Sequence, residues 1–324
     1  MSNHPIKLDA THHVVARLIE IQGTASDANF AKRLPIDSTN WTRVKNGTYG
    51  AADHSRVLAK LSAALDDILD EIAITSGSTE TPILPLSHIT RTRKALNIAF
   101  AEDRNRLVIC LTDTGGGKTS IAKSIQRDFP ARAAAVEASE PWRNSYLAGI
   151  HAIGEKIGIQ EDLRNNARRD EKTLIDELSA NPRIITIDEG NYFGHATLNL
   201  VKLILNNSRS IVVIFAMPVF WNYITRASFH EARQLRNRAA GILKFEVLKP
   251  SDVKLVLENK VPGWSTLQDP DRAIRLVCDA GNQFGLWNTV FPAAKFIAQE
   301  SAESGQVTIE TVEQAVSDIA GLRR

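Results

Sequence analysis

The spacing of apolar and polar residues changes twice along the chain. Up to about Ala73 short apolar stretches alternate with turn residues, which predicts short helices joined by tight turns. The stretch ITSGSTETPILP, residues 74–85, is rich in Ser, Thr, Gly and Pro and poor in bulky apolar residues, the composition of a linker. From about Leu86 apolar strands alternate with amphipathic helices. RLVICL (106–111) is followed by a helix from Lys118 to Arg127, then ARAAAVEA (131–138), a long helical stretch from Ser145, RIITID (183–188), a helix near Leu198 to Leu205, and SIVVIFA (210–216). Such alternation predicts a parallel sheet with helices on its faces. After Lys249-Pro250-Ser251-Asp252 the strand pattern stops, and the remainder reads as helices with turns at Pro262-Gly263, Asp269-Pro270, Gly281-Asn282 and Ser304-Gly305. The expected class is therefore α/β: a helical domain over 1–73, a linker over 74–85, an α/β core over 86–248 and a helical domain over 249–324.

Composition alters this picture little. With 324 residues, 43% of them hydrophobic, each domain has material for a core. The first residues place no apolar stretch behind a basic start, so a cytoplasmic, non-secreted chain is expected. The longest apolar run, Ile211 to Trp221, is too short to cross a bilayer and contains Pro218; it reads as a buried strand running into a turn, with no membrane partner. Cys110 and Cys278 lack metal-type spacing and read as structural. A net charge of +2 neither demands nor excludes a nucleic-acid partner. Locally, Lys32, Arg33, Arg43, Lys45, Arg56 and Lys60 outnumber Asp37 and Asp53, and Arg164, Arg168, Arg169 and Lys172 form a second basic cluster. Taken alone, either is also what a solvated helix face looks like.

Chemistry enters at CLTDTGGGKTS, residues 110–120, which nearly spells the phosphate-binding pattern G-x-x-x-x-G-K-[ST], with Thr112 in place of the first glycine. A strand precedes it and a helix follows, and in that setting backbone amides at a helix N-terminus hold an anion. Thr114, Gly115, Gly116, Gly117, Lys118, Thr119 and Ser120 form the candidate cradle. Lys118 would reach the β and γ phosphates of ATP and the Thr119 hydroxyl would coordinate Mg²⁺, whereas Thr112 is tolerable if its φ is negative. The competing reading is a glycine-rich turn without a ligand. IITIDE, residues 184–189, ends an apolar strand in two carboxylates; Asp188 would hold Mg²⁺ and Glu189 would polarise the attacking water.

The order of phosphate loop, IITIDE, a further apolar strand, an arginine-bearing segment and a helical C-terminal domain resembles the AAA+ ATPases, and among them the ATPase subunits of DNA transposons related to the B transposition protein of phage Mu. The resemblance implies a P-loop AAA+ fold with an N-terminal helix-turn-helix domain and a C-terminal lid, ATP and Mg²⁺ as ligands, duplex DNA and a transposase as partners, and self-association into a ring or helical filament. It also implies that Arg238 in QLRNR, with Arg236 as the second choice, is an arginine finger toward a neighbouring subunit's γ phosphate. Two family positions depart: the sensor after the strand Ile211 to Ala216 falls near Met217, and the lid arginine is replaced by Trp287 or Asn288 in FGLWN. Both departures imply slow hydrolysis.

Residues 30–47 resemble the helix-turn-helix of lambda-repressor-like domains. Ser38 is expected to cap the second helix, Trp41 and Val44 to form its buried stripe, and Asn46-Gly47 to end it. Thr39, Asn40, Arg43 and Lys45 are then the candidate DNA contacts, with Arg164, Arg168, Arg169 and Lys172 as a sequence-independent phosphate surface and Trp142-Arg143 as a further candidate. The alternatives are a nucleotide-dependent transcriptional regulator, an adaptor that binds ATP without hydrolysing it and, for the N-terminal helices, a bundle used for protein contact.

Overall fold

The computed structural model describes residue 8 and residues 12–50, 54–75, 83–226 and 230–322. The N-terminal part contains α1 (His13–Gln22), α2 (Asp27–Phe30), α3 (Ser38–Lys45) and α4 (His54–Thr75). Trp41 and Val44 are fully buried in its core with Val15, Leu18 and Leu61, which is the expected stripe. The cap is not the expected Ser38. Asp37 accepts from the Asn40 amide at 2.9 Å, so the helix starts one residue after its carboxylate cap. Short helices were expected throughout, yet α4 has 22 residues, because Leu58, Leu61, Leu65 and Ile68 carry one apolar stripe along it. Most of the stretch read as a linker, residues 76–82, lies outside the described residues.

The core begins with α5 (Ser87–Ala101) and β1 (Leu107–Leu111), followed by α6 (Lys118–Asp128) and β2 (Ala133–Glu137). The long helical stretch from Ser145 divides into α7 (Tyr146–Ile157) and α8 (Ala167–Ala180), because Gly158, at φ 84°, ends α7 in a left-handed cap. Then come β3 (Ile184–Asp188), α9 (His195–Asn207), β4 (Ile211–Ala216), α10 (Pro218–Arg226), α11 (His230–Arg236) and β5 (Ala239–Lys244). Pro218 thus opens a helix rather than only a turn, as suits a residue that lacks an N–H. The C-terminal part consists of α12 (Pro250–Lys260), α13 (Pro270–Phe284), α14 (Leu286–Ser304) and α15 (Ile309–Leu322).

All five strands are parallel, in the order β2-β3-β4-β1-β5. Alternation along each strand feeds two cores. Val108, Cys110, Val213 and Phe215 face α5, α6 and the C-terminal helices, while Leu107, Ile109, Ile185, Ile187 and Ile214 face α7 to α11. Both cysteines are buried and free, and burial pushes their thiols up to about 12 (Cys110) and about 11 (Cys278), which makes them unreactive packing groups. No helix among the described residues is long and apolar enough to cross a membrane.

In the N-terminal core Asp27 joins three helices: it accepts from Lys45, from Thr42 at 2.6 Å and from Gln22 at 2.7 Å, and Gln22 in turn accepts from the buried Trp41 indole at 2.9 Å. The Lys45 contact first, then those of Thr42 and Gln22, hold the Asp27 carboxyl at about 2, below its ordinary 3.8. A carboxyl lowered on folding contributes stability that is present above pH 3.8 and lost as pH falls through about 2. Asp27→Asn is therefore expected to destabilise this part at pH 7 by about 1–3 kcal/mol and to flatten its acid dependence between about pH 4 and 2, read by circular-dichroism melts.

Candidate nucleotide-binding site

Parallel strands deliver their carboxyl ends to one edge of the sheet, and the site is built there. β1 leads into the loop Thr112–Gly117, which opens α6; Gly115 (φ 78°) and Gly117 (φ 89°) take left-handed conformations that side chains resist. Thr112 is fully buried, does not have a positive φ, donates its amide to the Ala216 carbonyl at 3.0 Å and its hydroxyl to the Phe245 carbonyl at 3.2 Å. It fixes the start of the loop between β4 and the residue after β5. Its hydroxyl also explains the run of three glycines: a Cβ on Gly116 would lie 1.5 Å from Thr112 Oγ1. Threonine at the first position of the loop requires glycine at the fifth.

Lys118, the first residue of α6, extends its ammonium to both carboxylates at the end of β3, with Nζ 3.7 Å from Asp188 Oδ1 and 3.5 Å from Glu189 Oε1. The ammonium is largely buried, while the carboxylates are about a third exposed. Thr119 is exposed at the same helix end. Thr114, Gly115, Gly116, Gly117, Lys118, Thr119, Ser120, Asp188 and Glu189 are thus one constellation, with α6 directing its positive end into it. Glu189 is one of two non-glycine residues with positive φ (52°) among those described; its amide donates to Asp188 Oδ1 at 2.7 Å.

The N-terminus of α14 lies on the loop. Trp287 donates its amide to the Gly115 carbonyl at 2.9 Å, and a Cβ on Gly115 would meet the Asn288 amide at 2.3 Å. The lid positions singled out in the sequence therefore reach the site, but as an indole and an amide. Met217 follows β4 with an exposed side chain that has no donor.

Sequence reasoning missed His88, Phe245 and Asp252 beside the loop and Asn191 beside Glu189. His88 on α5 is 3% exposed, sits against Gly117, and packs on Trp287 and Phe245 at ring-centroid distances of 4.9 and 6.1 Å. Neither of its ring nitrogens has a hydrogen-bond partner. Burial pushes its imidazole down to about 4, against the opposing charge of Asp252. These three rings line a cavity of about 300 Å³ that begins beside the loop and continues along Phe245–Lys249. Asp252 of α12 accepts both the amide and the hydroxyl of Ser87, so the lid is tied to the residue before His88. Only contacts between residues distant in sequence create this pocket.

Arg238 lies at the other end of the sheet. Its carbonyl accepts from Leu107, the first residue of β1, so the length of a five-residue strand, about 16 Å, separates it from the loop. It does not reach the site of its own chain.

The DNA candidates divide. Thr39 and Arg43 are exposed on α3, whereas Asn40 donates its side-chain amide to Asp37 at 2.7 Å. Lys45 pairs with Asp27 and lies 5.8 Å from the centre of the Trp41 ring. Arg164, Arg168, Arg169 and Lys172 are all exposed around the start of α8, where Asp170 is buried and accepts the Arg164 amide and the His151 ring. Trp142 is 2% exposed and stacks on Phe193, so it is a packing residue and not a surface contact; Arg143 is exposed.

Phosphate loop after β1, paired carboxylates at the end of β3, a parallel sheet and a helical domain over the loop are now in place. This is a parallel α/β fold with a glycine loop and two carboxylates at the carboxyl edge of its sheet. No family model and no curated protein matches the chain. Solved structures similar to it include a mutant of Thermotoga maritima RuvB (14% identity, 72% of this chain and 70% of that one, TM-score 0.44), domain III of the Thermotoga maritima replication initiation protein DnaA (12%, 73% and 94%, 0.44) and Drosophila ORC bound to DNA (14%, 84% and 68%, 0.47). At these scores the likeness says nothing about activity.

Two outcomes follow from the loop. Gly116→Ala is expected to weaken nucleotide binding at least about tenfold and the double variant Thr112→Gly/Gly116→Ala to recover most of it, a coupling that a double-mutant cycle by fluorescent-nucleotide titration detects. An imidazole lowered on folding contributes stability that is present above pH 6.5 and lost as pH falls toward 4. His88→Phe is therefore expected to lose less melting temperature than the parent chain between about pH 7 and pH 5.

Proposed function

We propose that this chain is an ATPase of the AAA+ kind that binds ATP with Mg²⁺, assembles in its ATP state on duplex DNA and hands that DNA to a transposase. The observation that carries the nucleotide reading is Lys118 suspended between Asp188 and Glu189 at the mouth of a glycine loop. Its ammonium occupies the place between two carboxylates and a helix N-terminus where phosphate and cation charge would meet. The fit to ATP has further support. Gly115 and Gly117 take left-handed conformations that turn the loop onto the start of α6, and a buried, unpaired imidazole lines the adjoining cavity, where a base would be received.

Within this reading Lys118 binds the β and γ phosphates, and loop amides donate to the remaining oxygens. Asp188 and the Thr119 hydroxyl hold Mg²⁺, which supplies positive charge to the phosphate oxygens when bound. Glu189 takes a proton from the water positioned against the γ phosphate. Met217 offers no side-chain donor there, and the lid positions against the loop hold Trp287 and Asn288 rather than an arginine, so turnover is slow and ATP serves mainly to hold an assembly. Arg238, remote from its own site, is suited to serve the site of an adjacent copy, with Arg236 as the second choice; this couples nucleotide to self-association. The exposed arginines around the start of α8 support DNA contact without sequence readout. Delivery to a transposase rests on the sequence resemblance alone.

A second reading, a regulator that recognises one short site, is favoured by Thr39 and Arg43 standing exposed on α3. DNA length separates the two. Electron microscopy with a long arbitrary duplex is expected to show rings or filaments on the DNA with ATP and not with ADP; discrete particles regardless of nucleotide select the regulator. Lys118→Ala is expected to weaken ATP binding on the order of 100-fold, and Glu189→Gln to keep binding while lowering turnover about 10²–10⁴-fold. Unchanged turnover in Glu189→Gln would identify a chain that binds ATP without using Glu189.

A further inference from the structure

We infer that Asn191, itself held by the Met217 backbone amide, is the positioning residue for the Glu189 carboxylate; the inference rests on the ATPase reading above. Asn191 lies in the short 3-10 helix Gly190–Tyr192 that follows β3. Its Oδ1 accepts the amide of Met217, the first residue beyond β4, at 2.9 Å. An amide hydrogen can be received only by the oxygen, so the side-chain nitrogen is turned the other way, and there it donates to Glu189 Oε2 at 3.3 Å. One side chain therefore connects the base to the end of the neighbouring strand.

Three features make this more than incidental packing. Glu189 holds a left-handed backbone that a residue with a side chain adopts only when its surroundings impose it, and Asn191 bonds to that same residue's side chain. The carboxylate is held from two sides, Oε1 by Lys118 at 3.5 Å and Oε2 by Asn191. Once Lys118 turns to a phosphate, Asn191 is the partner that still fixes the direction of the carboxylate. The contact also crosses from β3 to β4, the strand that separates β3 from the loop-bearing β1, so displacement of the β4 end would be transmitted to the base.

The test compares Asn191→Ala and Asn191→Asp in the full chain. Aspartate keeps an oxygen for the Met217 amide but has no donor for Glu189 Oε2, so it removes one of the two contacts and leaves the other. Expected is a kcat about 10–100-fold lower in both variants, with KM and fluorescent-ADP affinity within about twofold of the parent. A kcat within about twofold of the parent in either variant, or a loss confined to nucleotide affinity, overturns the inference. A parent chain that binds nucleotide without turnover overturns it too while sparing the binding site; ATP affinity unaffected by Lys118→Ala overturns the site itself.

Discussion

Everything at this site depends on β4 lying between the strand that carries the phosphate loop and the strand that carries the carboxylates. Parallel pairing brings the ends of β1, β4 and β3 to one edge, with Leu111 opposite Ala216 and Ile187 opposite Ile214. Lys118 reaches across the end of β4 to Asp188 and Glu189. Because neighbouring strands are about 4.8 Å apart, two strand spacings separate β1 from β3, and a long basic side chain covers the remaining gap. The residue after β4 joins this edge through Asn191, which also holds Glu189. In this chain its contribution is the Met217 backbone amide, which no substitution other than proline removes.

The same edge explains the dual duty of buried residues around the loop. Thr112 anchors the loop to β4 and to Phe245 through backbone carbonyls, and His88 and Trp287 close the other side. Asp252 connects the lid to the start of α5, and Asn282 of α13 accepts the Leu248 amide at 3.1 Å. The lid is thus bonded to the core at the places that frame the cavity, so movement of the lid alters the cavity and the loop together. The β3 carboxylates, held by Lys118 and Asn191, stand outside that set of contacts.

Local sequence made part of this legible. Four strands, the glycine loop, Lys118, Asp188 and Glu189 follow from apolar runs and short motifs, because strand ends and helix starts are coded by adjacent residues. β5 escaped: AAGILK is small, half-exposed and weak in strand formers, and only pairing with β1 makes it a strand. His88, Asp252, Phe245 and Asn191 escaped for a related reason, since each matters through a partner on another element. Lys45 shows how a local reading omits a distant partner. An exposed-looking cation on a helix face was spoken for by Asp27, far earlier in the chain, and by the Trp41 ring.

The pairing of Thr112 with Gly116 has a historical side. A threonine hydroxyl and a Cβ at the fifth position cannot stand 1.5 Å apart, so the two sites do not change independently. A lineage that exchanges the leading glycine for threonine has to acquire glycine at position 116 beforehand, and one that restores a side chain at 116 has to release the threonine first. The loop thereby constrains its own descent: in each direction one order of substitution is open and the other is closed. A pattern search that scores each position separately passes over such loops, whereas one that scores the two positions jointly retains them.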